Sequence, residues 1–306
     1  MAIRTMIRHA LVTSAVTSAA VLGLVAAMPA QAQTAVDPGD YTPLPPGTDL
    51  ALVYGQFINR DELKLPGGTT LKDDTNLNTS VALFRYVHFT KIGPFVVDPQ
   101  IIVPVGSVHN AHVGGQDLGS STGIGDAVVF ATIWFVNKPS PDHATFFGFS
   151  PIVGIPTGTY DRNNAVNFGN NRWSFDPQIG FIQGLGRNVT LDLYGDVNFF
   201  TANDDVGRLS QRLTKKPVFH VQSWLRYALP DKKTSLSIGT ASFWGGKESL
   251  DDVYTGTRTE HQQIRVAVQK FVAPKWQLEL IGGRDVQARE GFREAARVQV
   301  RVLKIL

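Results

Sequence analysis

The feature that most constrains the fold of this chain is an alternation of apolar and polar side chains with a period of two. It is clearest over residues 188–200, where one set of alternate positions is apolar and the other includes Asp192 and Asp196. Successive side chains of a β-strand point to opposite faces, so this segment predicts a strand with one apolar and one charged face. The pattern recurs in residues 219–227, 263–269, 276–280 and 298–302.

Twelve strands are predicted, joined by connections that alternate between long ones of 11 to 18 residues and short ones of 4 to 6. The predicted strands are Thr48 to Ile58, Leu77 to Phe89, Pro94 to Val105, Gly123 to Val136, His143 to Pro156, Trp173 to Ile182, Asn188 to Phe200, Pro217 to Leu229, Thr234 to Trp244, His261 to Phe271, Trp276 to Arg284 and Ala296 to Ile305. An even strand number with long and short ends on opposite sides is typical of outer-membrane barrels.

Four prolines fall inside these strands, where each removes a hydrogen-bond donor from the ladder. They are Pro99, Pro104, Pro151 and Pro177. We therefore expect bulges or displaced strand bounds at these places, and the alternation is irregular between residues 94 and 156.

The charged faces predict which side of the sheet faces lipid and which faces the interior of the barrel. An Arg or Lys that faces lipid at mid-depth costs roughly 2 to 4 kcal/mol, so the charged face is expected to point inward. Lipid offers no hydrogen bonds to backbone groups, so a spanning sheet has to close on itself. The sequence thus predicts an all-β fold, a transmembrane antiparallel up-and-down β-barrel of about 12 strands with both termini periplasmic.

Aromatic residues lie near both ends of the predicted strands, as expected for two interfacial girdles. Those near short turns are Phe89, Phe95, Phe135, Phe146, Phe181, Tyr227, Phe271 and Trp276, and those near long loops are Trp173, Phe199, Phe219 and Phe243. The alternative is that they form the core of a soluble β-sandwich, because aromatic residues favour strands in general.

The N-terminal residues predict export. Arg4 and Arg8 precede a short apolar run, and Ala30-Gln31-Ala32 supplies a cleavage pattern, which together indicate a signal peptide over residues 1–32. A proline-rich leader, residues 33–47, follows it, and the barrel is expected to occupy residues 48–306. The predicted location is the bacterial outer membrane, with outer-membrane lipid as a partner.

Composition excludes several classes of function. The chain has no cysteine, which removes disulfides, thiolate metal sites and a thiol nucleophile. Without the two signal-peptide arginines, the chain has 27 basic and 26 acidic residues. This near balance means that no basic arm for nucleic acid is expected.

No catalytic or metal centre is expected. Ser121 lies in a G-x-S-x-G pattern, but that pattern needs a strand-to-helix turn and here a Gly-rich loop precedes a strand. His109 and His112 lie in a predicted loop without a third ligand. A barrel lipase would need a Ser beside a His, and Ser223 and His220 fall on opposite faces. We therefore expect no enzyme activity, no metal and no cofactor.

Charged and polar side chains on the inward phase form the candidate solute path. They are Asp192, Asp196, His220, Arg226, Arg265, Glu279 and Arg301. Opposite charges would face each other across the lumen, which lowers the cost of burying them and can select a polar solute. The alternative is that they only cross-link and close the barrel.

Four short motifs, in their order along the chain, resemble one family. They are the segment Asp40-Tyr41-Thr42-Pro43-Leu44-Pro45-Pro46-Gly47-Thr48, Gly123-Ile124-Gly125-Asp126, Pro156-Thr157-Gly158 with Tyr160-Asp161, and Gly245-Gly246. The chain resembles the outer-membrane transporters named after the meta-pathway of phenol degradation. This resemblance implies a barrel of roughly twelve strands that admits small, often aromatic or hydrophobic, compounds.

The expected function is a passive outer-membrane channel or facilitator for small molecules. The solute, the oligomeric state and the position of the leader are left open by the sequence. Two alternatives also stay open, a soluble periplasmic β-protein that binds a ligand and a closed structural barrel.

Overall fold

The barrel wall consists of eleven strands in a computed structural model that describes residues 36–306. The strands are β1 (Asp49–Lys64), β2 (Asn76–His88), β3 (Phe95–Val113), β4 (Ala127–Lys138), β5 (Thr145–Ile155), β6 (Ser174–Gly186), β7 (Val189–Phe200), β8 (Val218–Ala228), β9 (Thr234–Gly245), β10 (Thr259–Ala273) and β11 (Trp276–Ile305). The predicted signal peptide, residues 1–32, lies outside the described residues and stays a prediction.

Each wall strand pairs antiparallel with the next along the chain, and β11 pairs with β1 from Leu50↔Ile305 to Lys64↔Gly291. The sheet therefore closes, and the predicted antiparallel β-barrel is confirmed. Short connections lie at one rim and long ones at the other. The backbone N–H of Leu306 donates to the carbonyl of Asp49 at 2.9 Å, which places both ends of the barrel at the short-turn rim. Over residues 36–306, no helix has the length and apolarity needed to cross a membrane.

The last strand is a hairpin that crosses the wall twice. Its first half pairs with β10 and its second half with β1. The N–H of Ile305 donates to the carbonyl of Lys275 at 2.9 Å, so the two ends of β11 lie side by side. The chain reverses near Gly291, whose φ of 87° suits glycine. The wall thus has twelve passes, as expected.

The expected loop between residues 284 and 296 is the clearest error in the predicted strand bounds. Strand pairing continues to the tip of the hairpin, where Glu260 pairs with Glu290. Asp285 is fully buried and accepts the backbone N–H of Glu294 at 2.7 Å. Polar side chains there pack into the interior, so their polarity did not signal a solvated loop.

The wall has its apolar side chains on the outside and its polar side chains on the inside, the reverse of a soluble protein. Val266 is 55% exposed on the outside of β10, whereas Gln263 and Arg265 are buried on its inside. Outward residues of the other strands repeat this pattern with exposed Leu, Ile, Val and aromatic side chains. An apolar exterior around a polar interior is what a barrel in lipid requires.

The predicted aromatic girdles are only partly correct. Phe95, Phe135 and Trp276 are exposed on the exterior as expected. Phe89 and Phe146 are buried in the apolar cluster inside the barrel, and Phe243 is buried between two histidine rings. Position near a strand end did not distinguish an interfacial from an inward-facing aromatic.

Strands continue through all four prolines, but β3 extends past Pro104 to Val113 and not only to the predicted Val105. Pairing is interrupted twice, once where residues 176–177 of β6 are left out of the β6–β7 register and once beside Pro151. The prolines are Pro99, Pro104, Pro151 and Pro177. Beside Pro151, residues 130–132 of β4 are left out of the β4–β5 register. Proline has no N–H to donate. The N–H of Thr132 instead donates to the buried Asp98 carboxylate at 2.7 Å.

Several long loops contain strands and turns of their own. They are the 3₁₀ turn Pro66–Gly68 and the short strands Thr70–Leu71, Gln116–Asp117 and Ser121–Ile124, and a further short strand, Thr90–Ile92, lies at the short-turn rim. The strands Asn203–Val206, Gln211–Lys215, Glu248–Leu250 and Val253–Tyr254 form a separate four-stranded sheet.

The four-stranded sheet joins two different loops through a buried ion cluster. Glu248 lies 3.4 Å from Arg172 and 3.1 Å from Lys215, and all three side chains are buried or nearly so. Burial lowers the pKa of the Lys215 ammonium, while the Glu248 carboxylate opposes that shift. The loops at this rim are therefore tied together.

A lysine on the outer wall tests whether that face meets lipid. We expect Val266→Lys to lower the free energy of unfolding from lipid vesicles by roughly 2 to 4 kcal/mol, because the ammonium would lie at mid-depth. Urea titration followed by tryptophan fluorescence measures this change. The control is Val253→Lys in the loop sheet, where the side chain is 71% exposed and a change within about 0.5 kcal/mol is expected. Equal effects of the two substitutions would contradict a lipid-facing wall.

Candidate functional site: a charged lumen crossed by the leader

Most of the leader segment, residues 36–44, lies inside the barrel, while residues 45–47 are exposed at the short-turn rim. The carbonyl of Val36 accepts hydrogen bonds from Gln222 and from the Trp224 indole, the latter at 3.0 Å. The N–H of Gly39 donates to Asp192 at 2.8 Å. Since these partners lie on the inner faces of β7 and β8, this part of the leader occupies the lumen rather than the rim.

Two leader carboxylates anchor it to arginines of the wall. Asp37 lies 2.8 Å from Arg301 and also accepts Gln299 at 2.8 Å. Asp40 lies 2.9 Å from Arg85 and 3.4 Å from Arg301. Removing one partner of a buried ion pair leaves an uncompensated charge, which is strongly destabilising. These contacts therefore hold the leader in place.

Tyr41 of the leader fits a slot made by glycines. Its hydroxyl contacts Ser150 at 2.7 Å and donates to Gln178 at 3.1 Å. Its ring lies over Gly148 and Gly180, which are register partners on β5 and β6. A Cβ atom on Gly180 would lie 2.3 Å from the ring, so the slot exists only because the residue there is glycine.

All seven predicted lumen residues lie on the inner face, and six of them form three close pairs. The pairs are Asp196–His220 at 2.8 Å, Asp192–Arg226 at 2.8 Å and Glu279–Arg301 at 3.1 Å. Arg265, the seventh, donates to Gln222 at 3.5 Å and also to Gln263. The structure places these residues along the interior, and their role in a solute path stays a prediction.

A stack of rings extends the Asp196–His220 pair around the wall. The His220 ring stacks on Phe243 with centroids 4.2 Å apart, and Phe243 stacks on His261 at 4.6 Å. His261 in turn lies 3.1 Å from Asp285. A carboxylate thus contacts the histidine at each end of the stack, which fixes the orientation of both imidazoles.

Sequence reasoning missed the leader anchors and their partner Arg85. The period of two could have found Arg85, because it lies between Phe84 and Tyr86, which both face outward and are exposed. Asp37 and Asp40 carry no periodic signal, since the leader has no regular structure. A second missed cluster joins Glu294 to Arg60 and Arg297 through ion pairs at 3.2 and 2.9 Å, and Gln263 donates to Glu294 at 2.9 Å.

The residues considered for catalysis and metal binding make ordinary structural contacts. His109 and His112 lie in β3, so their predicted loop location was wrong, and the His109 ring contacts Ser80 at 3.0 Å. Ser121 accepts the N–H of Phe168 at 3.1 Å. Over residues 36–306, no group of three His, Asp or Glu side chains could hold a metal ion.

The leader separates two cavities in the lumen. One of about 90 Å³ lies toward the long loops, and its apolar lining includes Leu83, Ile102 and Phe130. The other, of about 310 Å³, lies toward the short-turn rim and is called the rim chamber below. Asp40 and Arg85 line both, so the ion pair between them stands at the boundary of the two spaces.

A closed wall with an apolar exterior, a polar lumen and loops gathered at one rim defines an outer-membrane β-barrel of the channel class. The family model described as "Putative MetA-pathway of phenol degradation" matches residues 60–302. The chain therefore belongs to that family.

A solved structure agrees with this assignment. The COG4313 outer membrane channel from Pseudomonas putida F1 is 31% identical, with a TM-score of 0.83 over 89% of this chain and 100% of that one. The translocator domain of the autotransporter NalP from Neisseria meningitidis is 11% identical, with a TM-score of 0.46 over 98% and 97% of the two chains. Likeness at the latter level does not bear on function. No protein with a curated description matches the chain.

A methyl group in the Tyr41 slot tests how the leader is held. We expect Gly180→Ala to displace Tyr41, because overpacking of this kind typically costs 1 to 3 kcal/mol. Single-channel recordings in planar bilayers should show a conductance several-fold above that of the unmodified protein. The control, Gly195→Ala, places its Cβ no closer than 3.8 Å to any neighbour and should leave the conductance unchanged. An unchanged conductance in Gly180→Ala would show that Tyr41 does not restrict the lumen.

Proposed function

We propose that this protein is a passive channel or facilitator for small molecules across the outer membrane, exported by the predicted signal peptide over residues 1–32. The proposal includes no catalysis and no cofactor. The observation that carries it is the polar lumen enclosed by a closed wall with an apolar exterior. Asp49 and Leu306 share the short-turn rim, which supports periplasmic ends for the barrel.

The lumen supports a narrow and selective path rather than an open pore. Barrel diameter grows with strand number, and wide aqueous channels need 16 to 18 strands. Here the leader also fills the middle of the lumen and leaves a cavity on each side. A solute can pass only when the leader shifts, so the contacts of Asp37, Asp40 and Tyr41 set how readily the path opens.

Small aromatic or hydrophobic compounds are the proposed solutes. The cavity toward the long loops supports this class, because Leu83, Ile102 and Phe130 line it beside the Arg85 guanidinium. The description of the family, which refers to phenol degradation, points the same way. Such a solute would contact apolar walls while the charged residues hydrate or orient its polar group.

A closed structural barrel is the second candidate, and the buried ion pairs of the leader favour it. A leader held by Arg85 and Arg301 at 2.8 to 3.4 Å could be a permanent part of the core. The exposed apolar wall disfavours the other alternative, a soluble periplasmic ligand-binding protein, because contiguous apolar surface of that extent is not tolerated in water.

Neutralising the leader carboxylates separates a channel from a closed barrel. We expect the wild-type protein to show discrete low conductance, and Asp37→Asn with Asp40→Asn to raise it several-fold, because all three ion pairs to the wall are lost. Uptake of phenol and benzyl alcohol into proteoliposomes should rise in parallel.

The matched control for this experiment is Asp204→Asn with Asp251→Asn. Both carboxylates accept hydrogen bonds from Arg212 in the loop region, so the charge change is the same but lies outside the lumen. Conductance should then stay at the wild-type level. If wild type and the leader variant are both folded, as gel mobility before and after boiling would show, yet conduct no ions and move no solute, the barrel is closed and the proposal fails.

A further inference from the structure

The rim chamber is the larger of the two cavities beside the leader, and passage of a solute alone gives it no specific role. Its volume of about 310 Å³ is about twice that of an engineered cavity of roughly 150 Å³ that binds benzene. A molecule with one aromatic ring and a short polar substituent therefore fits inside it.

The walls of the rim chamber are apolar. The inward-facing side chains near the short-turn rim that line it are Leu50, Leu52, Val87, Phe89, Leu303 and Ile305. Higher in the barrel, at the level of the leader, the inner face is instead polar and charged. The chamber therefore combines a charged ceiling with apolar sides, which is the arrangement that an amphipathic molecule matches.

The hydrogen-bond donors at the top of the chamber favour an anion. Three guanidinium groups, those of Arg85, Arg226 and Arg301, line the chamber against two carboxylates, those of Asp40 and Asp98. Both carboxylates are already engaged, Asp40 with Arg85 and Arg301, and Asp98 with the N–H of Thr132 at 2.7 Å. The arginines are also paired with carboxylates behind them, Arg226 with Asp192 and Arg301 with Asp37 and Glu279, so the cluster has no net positive charge. What favours an anion is the free hydrogen-bonding capacity, which lies on the donor side.

Arg226 is the donor best placed to bind that anion. Its Nε donates to Asp192 at 3.0 Å, and Asp192 is fully buried beneath it. Among the described residues, its two terminal nitrogens have no hydrogen-bonding partner, and 19% of the side chain is exposed. By contrast, Arg301 has three carboxylate partners and Arg85 donates to Asp40, Gln100 and Tyr54. The planar guanidinium can donate two parallel N–H groups to the oxygens of one carboxylate.

We propose that the rim chamber binds a small monocarboxylate with an apolar body, whose carboxylate pairs with the terminal nitrogens of Arg226. The ring or chain of the ligand lies against the apolar walls below. This inference rests on the proposed function in one respect, because it makes the chamber the last binding site for a solute that has passed the leader. It names aromatic and short aliphatic acids as the class of solute that the barrel retains there.

The test is equilibrium binding to the purified full-length barrel in non-ionic detergent, with phenylacetate as the probe and 2-phenylethanol as its uncharged counterpart. Isothermal titration should show saturable binding of phenylacetate and at least tenfold weaker binding of the alcohol. Arg226→Gln should weaken phenylacetate by roughly 10- to 100-fold, the loss expected for a charge-assisted hydrogen-bonded pair. The alcohol should bind Arg226→Gln and the wild type equally.

Two further variants keep the test free of folding effects. Asp192→Asn with Arg226→Gln removes the carboxylate that Arg226→Gln would leave buried and unpaired, and it should lose phenylacetate binding to the same extent. Arg284→Gln removes an exposed arginine on the outer wall and should bind phenylacetate like the wild type.

The inference is overturned if phenylacetate shows no saturable binding to the wild type, if the alcohol binds equally well, or if the folded Arg226 variants retain full affinity. This outcome is distinct from failure of the channel itself. A barrel that moves phenol across vesicles without binding phenylacetate keeps the proposed function and loses the chamber, whereas one that binds phenylacetate but moves no solute keeps the chamber and loses the function.

Discussion

The pairing of β11 with β1 is the constraint on which the rest of the structure depends. A sheet in lipid cannot leave a row of backbone N–H and C=O groups unpaired, because no water is available to satisfy them. Closure removes the edge, and it also divides every strand into an outward and an inward face. The apolar exterior, the polar interior and the enclosure of the leader all follow from that one division.

Enclosure changes the energetics of the charges that face inward. In a narrow space of low dielectric, an isolated charge is costly, so nearly every inward carboxylate or guanidinium has a partner. The leader takes part in this pairing through Asp37 and Asp40, and it supplies backbone groups to Gln222, Trp224 and Gln269. Arg226 differs because only its Nε donates to a protein partner, Asp192, and its terminal nitrogens stay available. Since Arg226 lines the rim chamber, we place the proposed ligand there and not at the centre of the lumen.

The period of two was enough to predict the barrel, the number of passes and the inward face of residues such as Asp192 and Arg301. It works because each wall residue sees only one of two environments. It could not predict the leader, whose residues 36–47 have no repeating pattern and are positioned by contacts with strands up to 264 residues away. It also failed at the β11 hairpin, where Asp285 and Glu294 are polar because they bind partners inside the barrel. It failed again at inward-facing aromatic residues such as Phe89, which cannot be told from girdle residues in the sequence.

The position of Asp37 has a consequence for how the molecule assembles. Its partners Gln299 and Arg301 lie on the second half of β11, the segment that closes the wall against β1. The complete set of contacts for Asp37 therefore exists only once β11 has paired with β1. Closure of the barrel and final positioning of the leader are therefore coupled.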